Sequence, residues 1–352
     1  MVPVERVGLV VHAGKEAALA AAGEVRRWAA SHGIPCADID VWDDSRLNAR
    51  EEAARAGNPD LIVTVGGDGT FLRGVRVAGP VSALVLGVNV GRVGFLTEVG
   101  TEDLRAALDA VHRGEMTVDA RMTLTMRSSR PLEIPEGIEA MLRYGRGPML
   151  PPPRVRPGMK SEAGWGVPLD VLALNDIVVE KLARDRQASL AVYVGGKLFA
   201  SYSADALIVA SSTGSTAYSF AAGGPIVSPK LDALVFTPVA PHMVFNRTVV
   251  LDSSQQVGIL VLEHSGQVAV SVDGQLRGVL DPGDWISVYG APKRSKLVRL
   301  SEPDFLGRVR DRFGLVDSAA ALADGHPPAY APNKPMPPDL AHPGPRDLPP
   351  GR

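Results

Sequence analysis

The sequence predicts an α/β N-terminal domain with a parallel sheet, followed by a mainly antiparallel β domain. Three observations carry this reading. Through residue 115, short apolar runs alternate with stretches of helical period. From residue 116 the apolar period falls to two and the segments shorten. Gly195-Gly196 and Asp273-Gly274 fall between such segments, where tight hairpins need positive φ.

The elements follow in order. Residues 6–11 read as a buried strand. Ala18, Leu19, Ala22, Val25 and Ala29 lie at helical spacing within residues 15–32, and Gly33 is a natural stop. Residues 46–56 look helical. Residues 60–65 form a second buried strand that runs into Gly66-Gly67-Asp68-Gly69-Thr70. A short helix is expected over 71–78, a third strand over 82–86, and a helix over 102–113 with Thr101 as its cap and Gly114 after it. Continuous apolar strands alternating with helices imply a parallel sheet covered on both faces. Val118, Ala120, Met122, Leu124 and Met126 then alternate with polar residues, as in one strand with a wet face. Further strands are expected at 171–180, 189–194, 197–202, 206–210, 257–263, 268–272, 285–289 and 297–300.

The expected organisation is residues 1–115 for the α/β domain and 116–300 for the β-rich domain. Residues 301–317 are expected to pack back on the N-terminal domain. Eight prolines mark 128–168 as an insertion, and ten prolines among residues 318–352 mark a disordered tail.

The net charge of −2 offers no basic excess for nucleic acid or an anionic membrane. The single cysteine, Cys36, can form neither an intrachain disulfide nor a zinc cluster, and is expected to be a buried small residue. No apolar run approaches the ~18 residues of a membrane helix, and no signal peptide is evident. The expected location is the cytoplasm.

Chemistry concentrates at four places. Glycines after the strand at 60–65 permit close ligand approach, and the following helix offers free N–H groups to phosphate. The spacing is neither the Walker pattern nor the dinucleotide fingerprint. The phosphate-binding candidates are Gly66, Gly67, Gly69, Thr70 and Arg73. Two roles suit Asp68 in such a cradle: accepting the proton of an attacking hydroxyl, or binding Mg²⁺ carried by a nucleotide. The second place is Gly87-Val88-Asn89-Val90-Gly91-Arg92-Val93-Gly94-Phe95, which also follows a buried strand. It would face the same crevice, with Asn89 offering its amide and Phe95 a stacking face. The third is Asn175-Asp176, two polar residues inside an apolar strand. They suit either ribose and adenine edges or a β-bulge. The fourth is Thr213-Gly214-Ser215-Thr216-Ala217-Tyr218, hydroxyl residues entering a helix, with Tyr218 able to stack. Asp205, just upstream, suits an exocyclic amine or a strand end. His242 suits a site wall or a loop.

Taken in this order, and with Pro241-His242, these motifs resemble the NAD kinase family over roughly residues 4–310. Gly-Gly-Asp-Gly-Thr alone is shared with lipid and sugar kinases. The pairing with Thr-Gly-Ser-Thr-Ala-Tyr is far more specific. The resemblance implies ATP-dependent phosphorylation of the adenosine-ribose 2′-hydroxyl of NAD, with Mg²⁺ carried by the nucleotide and no protein metal ligand assigned. It implies a homodimer or homotetramer, and it leaves polyphosphate open as donor. By that likeness Asp68 is the base. Asn175 and Asp176 hold the adenosine and ribose, and Thr216, Ala217 and Tyr218 meet the adenine or nicotinamide. Asp205 touches a base in the same pocket or from a neighbouring subunit. Asn89, Phe95 and Thr213 complete the NAD set. The chain departs from the family at Asp176 (usually Glu), Ser211-Ser212 (usually Thr-Pro), Ala206 (usually Gly), Ala221 (usually Ser) and the insertion. These departures keep open another nucleotide acceptor, or a paralogue that binds without catalysis.

Overall fold

A computed structural model describes residues 4–12, 14–42, 48–91, 94–138, 150–156, 164–182, 186–302 and 304–315. The expected tail, 318–352, and much of the expected insertion lie outside these residues. A second unit begins at Phe313, and of it only residues 313–315 are described.

The N-terminal half lays down β1 (Val7–Val11), α1 (Glu16–Ser31), β2 (Cys36–Asp38), α2 (Ala49–Arg55), β3 (Leu61–Gly66), α3 (Asp68–Val81), β4 (Leu84–Asn89), β5 (Val99–Gly100), α4 (Leu104–Arg113) and β6 (Thr117–Arg121). All six residues of β3 are buried, as an apolar strand covered on both faces requires. Leu61, Val63 and Val65 face a core with Val25 and Trp28 of α1 and Leu108 of α4. Ile62 faces the opposite core with Phe71 and Val75 of α3 and Ala53 of α2. Helix α2 begins with a reciprocal capping box, Asn48 accepting from the Glu51 amide and Glu51 from the Asn48 amide. The expected Thr101 cap is not formed. Helix α4 starts after Asp103 without a side-chain cap, and Thr101 donates instead toward Glu102. Gly114 ends it at φ 75°, the left-handed conformation glycine permits. Cys36 is only partly buried.

The remainder forms β7 (Leu124–Ser128), β8 (Val167–Pro168), β9 (Asp176–Lys181), β10 (Ala188–Val194), β11 (Lys197–Ala204), β12 (Ala206–Ser211), a 3₁₀ turn (Thr213–Thr216) and α5 (Tyr218–Ala221). After these come β13 (Ala233–Val239), β14 (Val249–Asp252), β15 (Gln256–Val261), β16 (Val268–Val272), β17 (Gln275–Leu280), β18 (Trp285–Gly290), β19 (Ser295–Arg299) and α6 (Phe305–Phe313).

Three sheets result. The first runs β2-β1-β3-β4-β19-β6, with β5 beside β4. Its strands are parallel except β6, which is antiparallel to β19. The second, β11-β10-β15-β18-β7-β8, and the third, β14-β13-β12-β9-β16-β17, are antiparallel. They enclose a core to which Met126, Leu190 and Ile259 of one sheet and Ile177, Leu207 and Phe236 of the other contribute.

Three of the expected strands change. The alternation from 118 to 126 is not one strand. It breaks at Met122-Thr123, where Thr123 exchanges bonds with the 291–293 loop (Ala291 N–H to Thr123 O, 2.7 Å; Thr123 Oγ1 to Lys293 O, 2.6 Å). β6 therefore pairs in the first sheet and β7 in the second. The strand expected at 297–300 joins the first sheet, parallel to β4. The strand expected from 171 pairs regularly only from Asp176. Strands β2, β5, β8, β13, β14 and β17 do not appear among the expected elements. Pro238 argues against a strand, yet it lies past the β14 pairing, which stops at Phe236↔Val249.

Candidate active site

The register of β3 and β4 sets Gly66 opposite Asn89, so both glycine-rich loops leave the sheet at the carboxyl edge, side by side. Asp68 opens α3, with Gly67 as its N-cap. Its carboxylate reaches the second loop, accepting from Phe95 N (3.0 Å) and Leu96 N (3.1 Å). Gly94 leaves room for this, since a Cβ there would meet the Asp68 carboxylate. Thr70 is buried against Gly66.

The second loop is fixed from behind. Arg299 donates to Leu96 O (3.2 Å), and Arg308 of α6 donates to Phe95 O (3.4 Å) and Thr97 O (2.5 Å). Both guanidiniums pair with Glu98, at 2.8 and 3.0 Å. The Glu98 and Arg299 side chains are each 2% exposed. Burial alone would raise the Glu98 carboxyl. The Leu300 amide and the two arginines outweigh it and hold the carboxyl below its ordinary range. Arg299 also reaches Asp119, which pairs with Arg121, and Arg121 donates to Thr213 Oγ1 (3.2 Å). A chain of charges thus runs from behind the Asp68 loop to the Thr213–Thr216 turn.

That turn lies against Asn175. A Cβ on Gly214 would strike the Asn175 carbonyl. Ser211 N–H donates to Asn175 O (2.8 Å), and Ser211 Oγ to Leu174 O (2.5 Å). Asn175 is half-buried and Asp176 is 4% exposed. Burial, then the neighbouring Asp273 carboxylate, pushes Asp176 up to about 8. Tyr218 is 41% exposed, and burial, then Glu180, Asp176 and Asp205, raises its phenol. Thr216 Oγ1 donates back to Thr213 O (3.4 Å).

Some expected residues stand apart. Asn89 is buried, and its amide donates to Gly91 O (2.6 Å), closing its own loop. Phe95 is half-buried and contributes its backbone to the Asp68 clamp. Asp205 sits at the far end of β12 from Ala210, the register partner of Asp176, and pairs with Lys181 at 2.6 Å. His242 donates its backbone N–H to Ser203 O. Arg73 stacks on Trp42, 4.1 Å from the ring centroid, and donates to Val41 O. Burial pushes Arg73 down to about 10, so it stays charged at neutral pH.

A cavity of about 1150 Å³ adjoins the first loop, lined by Gly67, Gly69, Thr70 and Arg73. Among the described residues its lining holds eight Lys and Arg side chains against two aspartates, so it favours a polyanion. Arg154 and Arg156 come from the expected insertion, Arg76 from α3 one turn after Arg73, Arg277 from β17 and Lys293 from the loop before β19. The Nε of Arg277 is buried with no hydrogen-bond partner. Sequence reading missed all five, because isolated basic residues carry no spacing signal. Arg299, inside an apolar strand, was the legible hint at the clamp.

Comparison with known proteins adds the following. The model of the ATP-NAD kinase N-terminal domain matches residues 7–116, and that of the ATP-NAD kinase C-terminal domain matches 174–300. NAD kinase 1 of Streptomyces avermitilis is 62% identical over 352 residues, covering 98% of this chain and 99% of its own. NAD kinase 1 of Streptomyces coelicolor is 61% identical, covering 96% and 94%. Among solved structures, yeast NADH kinase complexed with NADH aligns with a TM-score of 0.70 at 21% identity, covering 90% of this chain and 89% of that one. An Archaeoglobus fulgidus NAD kinase in complex with ATP aligns at 0.59 and 22% identity, covering 87% and 98%. At such identities these two likenesses speak for the fold.

Proposed function

The chain belongs to the ATP-NAD kinase family, and on that premise we propose that it transfers the γ-phosphoryl of ATP to the adenosine-ribose 2′-hydroxyl of NAD, giving NADP. One juxtaposition carries the reading. Asp68 stands between two glycines that line the basic cavity, and that cavity's lining also includes Asp273, whose carboxylate binds the Asn175–Asp176 backbone.

ATP enters the cavity, its phosphates toward Gly67, Gly69, Thr70 and Arg73. NAD lies along Asn175, Asp176, Thr213, Thr216, Ala217 and Tyr218. Asp176, neutral at pH 7 with its carboxyl near 8, can donate to a ribose oxygen as well as accept. Asp68 accepts the proton of the attacking hydroxyl, oriented by the two amides of the second loop. Positioning supplies most of the catalysis in such a transfer. Magnesium arriving on the nucleotide would neutralise phosphate charge. A lone carboxylate at a helix N-terminus fits a cation held chiefly by phosphate oxygens, with Asp68 as the protein ligand within reach.

The eight cations suit inorganic polyphosphate as a second donor reading as well as the phosphates of ATP. Assembly as a homodimer or homotetramer is supported by apolar surface at Leu198, Phe199, Val244 and Phe245, where Phe199 and Phe245 stack edge to face at 5.8 Å. Among the described residues no helix is long and apolar enough to cross a membrane, and a cytoplasmic location is proposed. The test is purified protein with ATP, Mg²⁺ and NAD, the product identified by mass. Asp68→Asn should lower kcat about 10²–10⁴-fold. A near-normal rate would remove the base assignment, and NAD binding without product would favour a non-catalytic paralogue.

A further inference from the structure

The Asp273-Gly274 pair turns the chain from β16 into β17 at φ 48° and 74°, as its hairpin signature requires. A turn needs nothing more from its first side chain. Yet the Asp273 carboxylate folds back onto the entry to β9, accepting from Leu174 N (2.9 Å), Asn175 N (2.8 Å) and Asp176 N (3.1 Å). Its own N–H donates to Asp176 O (3.0 Å). These four bonds secure three consecutive peptides. They explain why regular strand pairing starts only at Asp176.

The secured segment crosses between two cores. Leu174 is buried with Phe71 and Val75 of α3, while Ile177 is buried in the sandwich. Asn175 and Asp176 lie between these anchors. The turn also reaches the other way. With the Gln275 amide oriented so that its oxygen faces Arg73, that oxygen accepts from both terminal guanidinium nitrogens (2.8 and 3.1 Å). Arg73 lies on α3, the helix that Asp68 opens.

We propose that Asp273 is a positioning residue: its carboxylate fixes the acceptor-binding pair Asn175–Asp176 relative to the helix that carries Asp68. This rests on the reading of the site given above. Two carboxyls in one buried neighbourhood raise each other's cost of ionisation, and burial pushes Asp273 up to about 6 despite its three amides.

The experiment uses the full chain and two variants, Asp273→Asn and, should that not fold, Asp273→Ser. Rates are measured with NAD varied at saturating ATP, then with ATP varied at saturating NAD. Circular dichroism fixes the folded fraction, and calorimetry gives NAD affinity. Asn keeps one acceptor oxygen but turns an NH₂ toward a backbone donor, which displaces the segment. Displacements near 1 Å cost on the order of 10²-fold. The expected result is a KM for NAD raised about tenfold or more, weaker NAD binding and a lower kcat, with a clearly smaller rise in the KM for ATP, whose cavity Asp273 also lines. A kcat that merely tracks the folded fraction, with both KM values unchanged, would overturn the proposal, as would equal rises in both. The unmutated protein, run in parallel, separates the two readings. If it makes no NADP, the acceptor assignment itself is lost. If it is active and the variant's NAD parameters match it, the positioning role alone is lost.

Discussion

Gly94→Ala tests the geometry around Asp68 most directly. A Cβ at that position would lie 2.6 Å from Asp68 Cγ and 2.8 Å from Oδ2. Ordinary carbon contacts fall near 3.5–4.0 Å, so the carboxylate or the loop must shift by about 1 Å. Gly94 does not hold a positive φ, so the effect is steric and not a backbone strain. If the carboxylate moves, it gives up the Phe95 and Leu96 amides. Each such bond to a charged acceptor is worth about 1.5–3 kcal/mol, so the two bound the stability loss at roughly 3–6 kcal/mol, less whatever solvent restores. A 1 Å misplacement of a catalytic group costs on the order of 10²-fold, which is about 2.7 kcal/mol of barrier. The expected outcome is a kcat lowered about 10²-fold in a folded protein, with a lower urea midpoint. Steady-state NADP formation and urea unfolding followed by circular dichroism measure the two. A folded variant within about threefold of the unmutated kcat would refute the idea that Asp68 acts from its clamped position.

Other outcomes follow from the same geometry. Asp176 has an ordinary carboxyl pKa near 3.9 when unfolded and about 8 when folded, so the native state keeps a proton that the unfolded chain loses. Its stabilising effect is full below pH ~4 and is lost as pH rises through about 8. Thermal midpoints should therefore fall over that window, and Asp176→Asn should flatten the slope; an unchanged slope would contradict this. Glu98→Gln leaves Arg299 and Arg308 without their shared carboxylate, and breaking a buried pair in this way costs about 3–5 kcal/mol, read from the urea midpoint. A chain ending at residue 317 should turn over at the unmutated rate, and loss of turnover would show that the proline-rich tail serves the reaction.

The alternation of apolar strand and helical period was legible because β3 and β4 are buried on both faces, which forces continuous Val, Ile and Leu. The glycine-rich loops were legible because a backbone approach to phosphate leaves a local trace. Sheet membership was not. Nothing in Leu297 and Val298 distinguishes a strand that pairs with β4 from one that pairs with β18, since period reports burial and not partner. The break at Met122-Thr123 was hidden for a related reason: alternation continued while the partner changed. Asp273 was read as a turn residue because its dihedrals are local, whereas its three amide donors lie nearly a hundred positions away. The basic cavity was invisible for the same cause, with Arg76, Arg156 and Lys293 gathered only by folding.

The first sheet depends on β19, which pairs with Leu84 and Val85 of β4. During translation, the Leu84–Val85 part of this edge must therefore wait unpaired while some two hundred further residues leave the ribosome, the Val88–Asn89 part being taken by β5. Arg299 ends that same strand and Arg308 follows it, so the bonds that brace the second loop from behind form only after residue 308 has been made. A nascent chain released before residue 299 would carry the glycine-rich phosphate turn without that bracing, and a partly open parallel edge prone to aggregate.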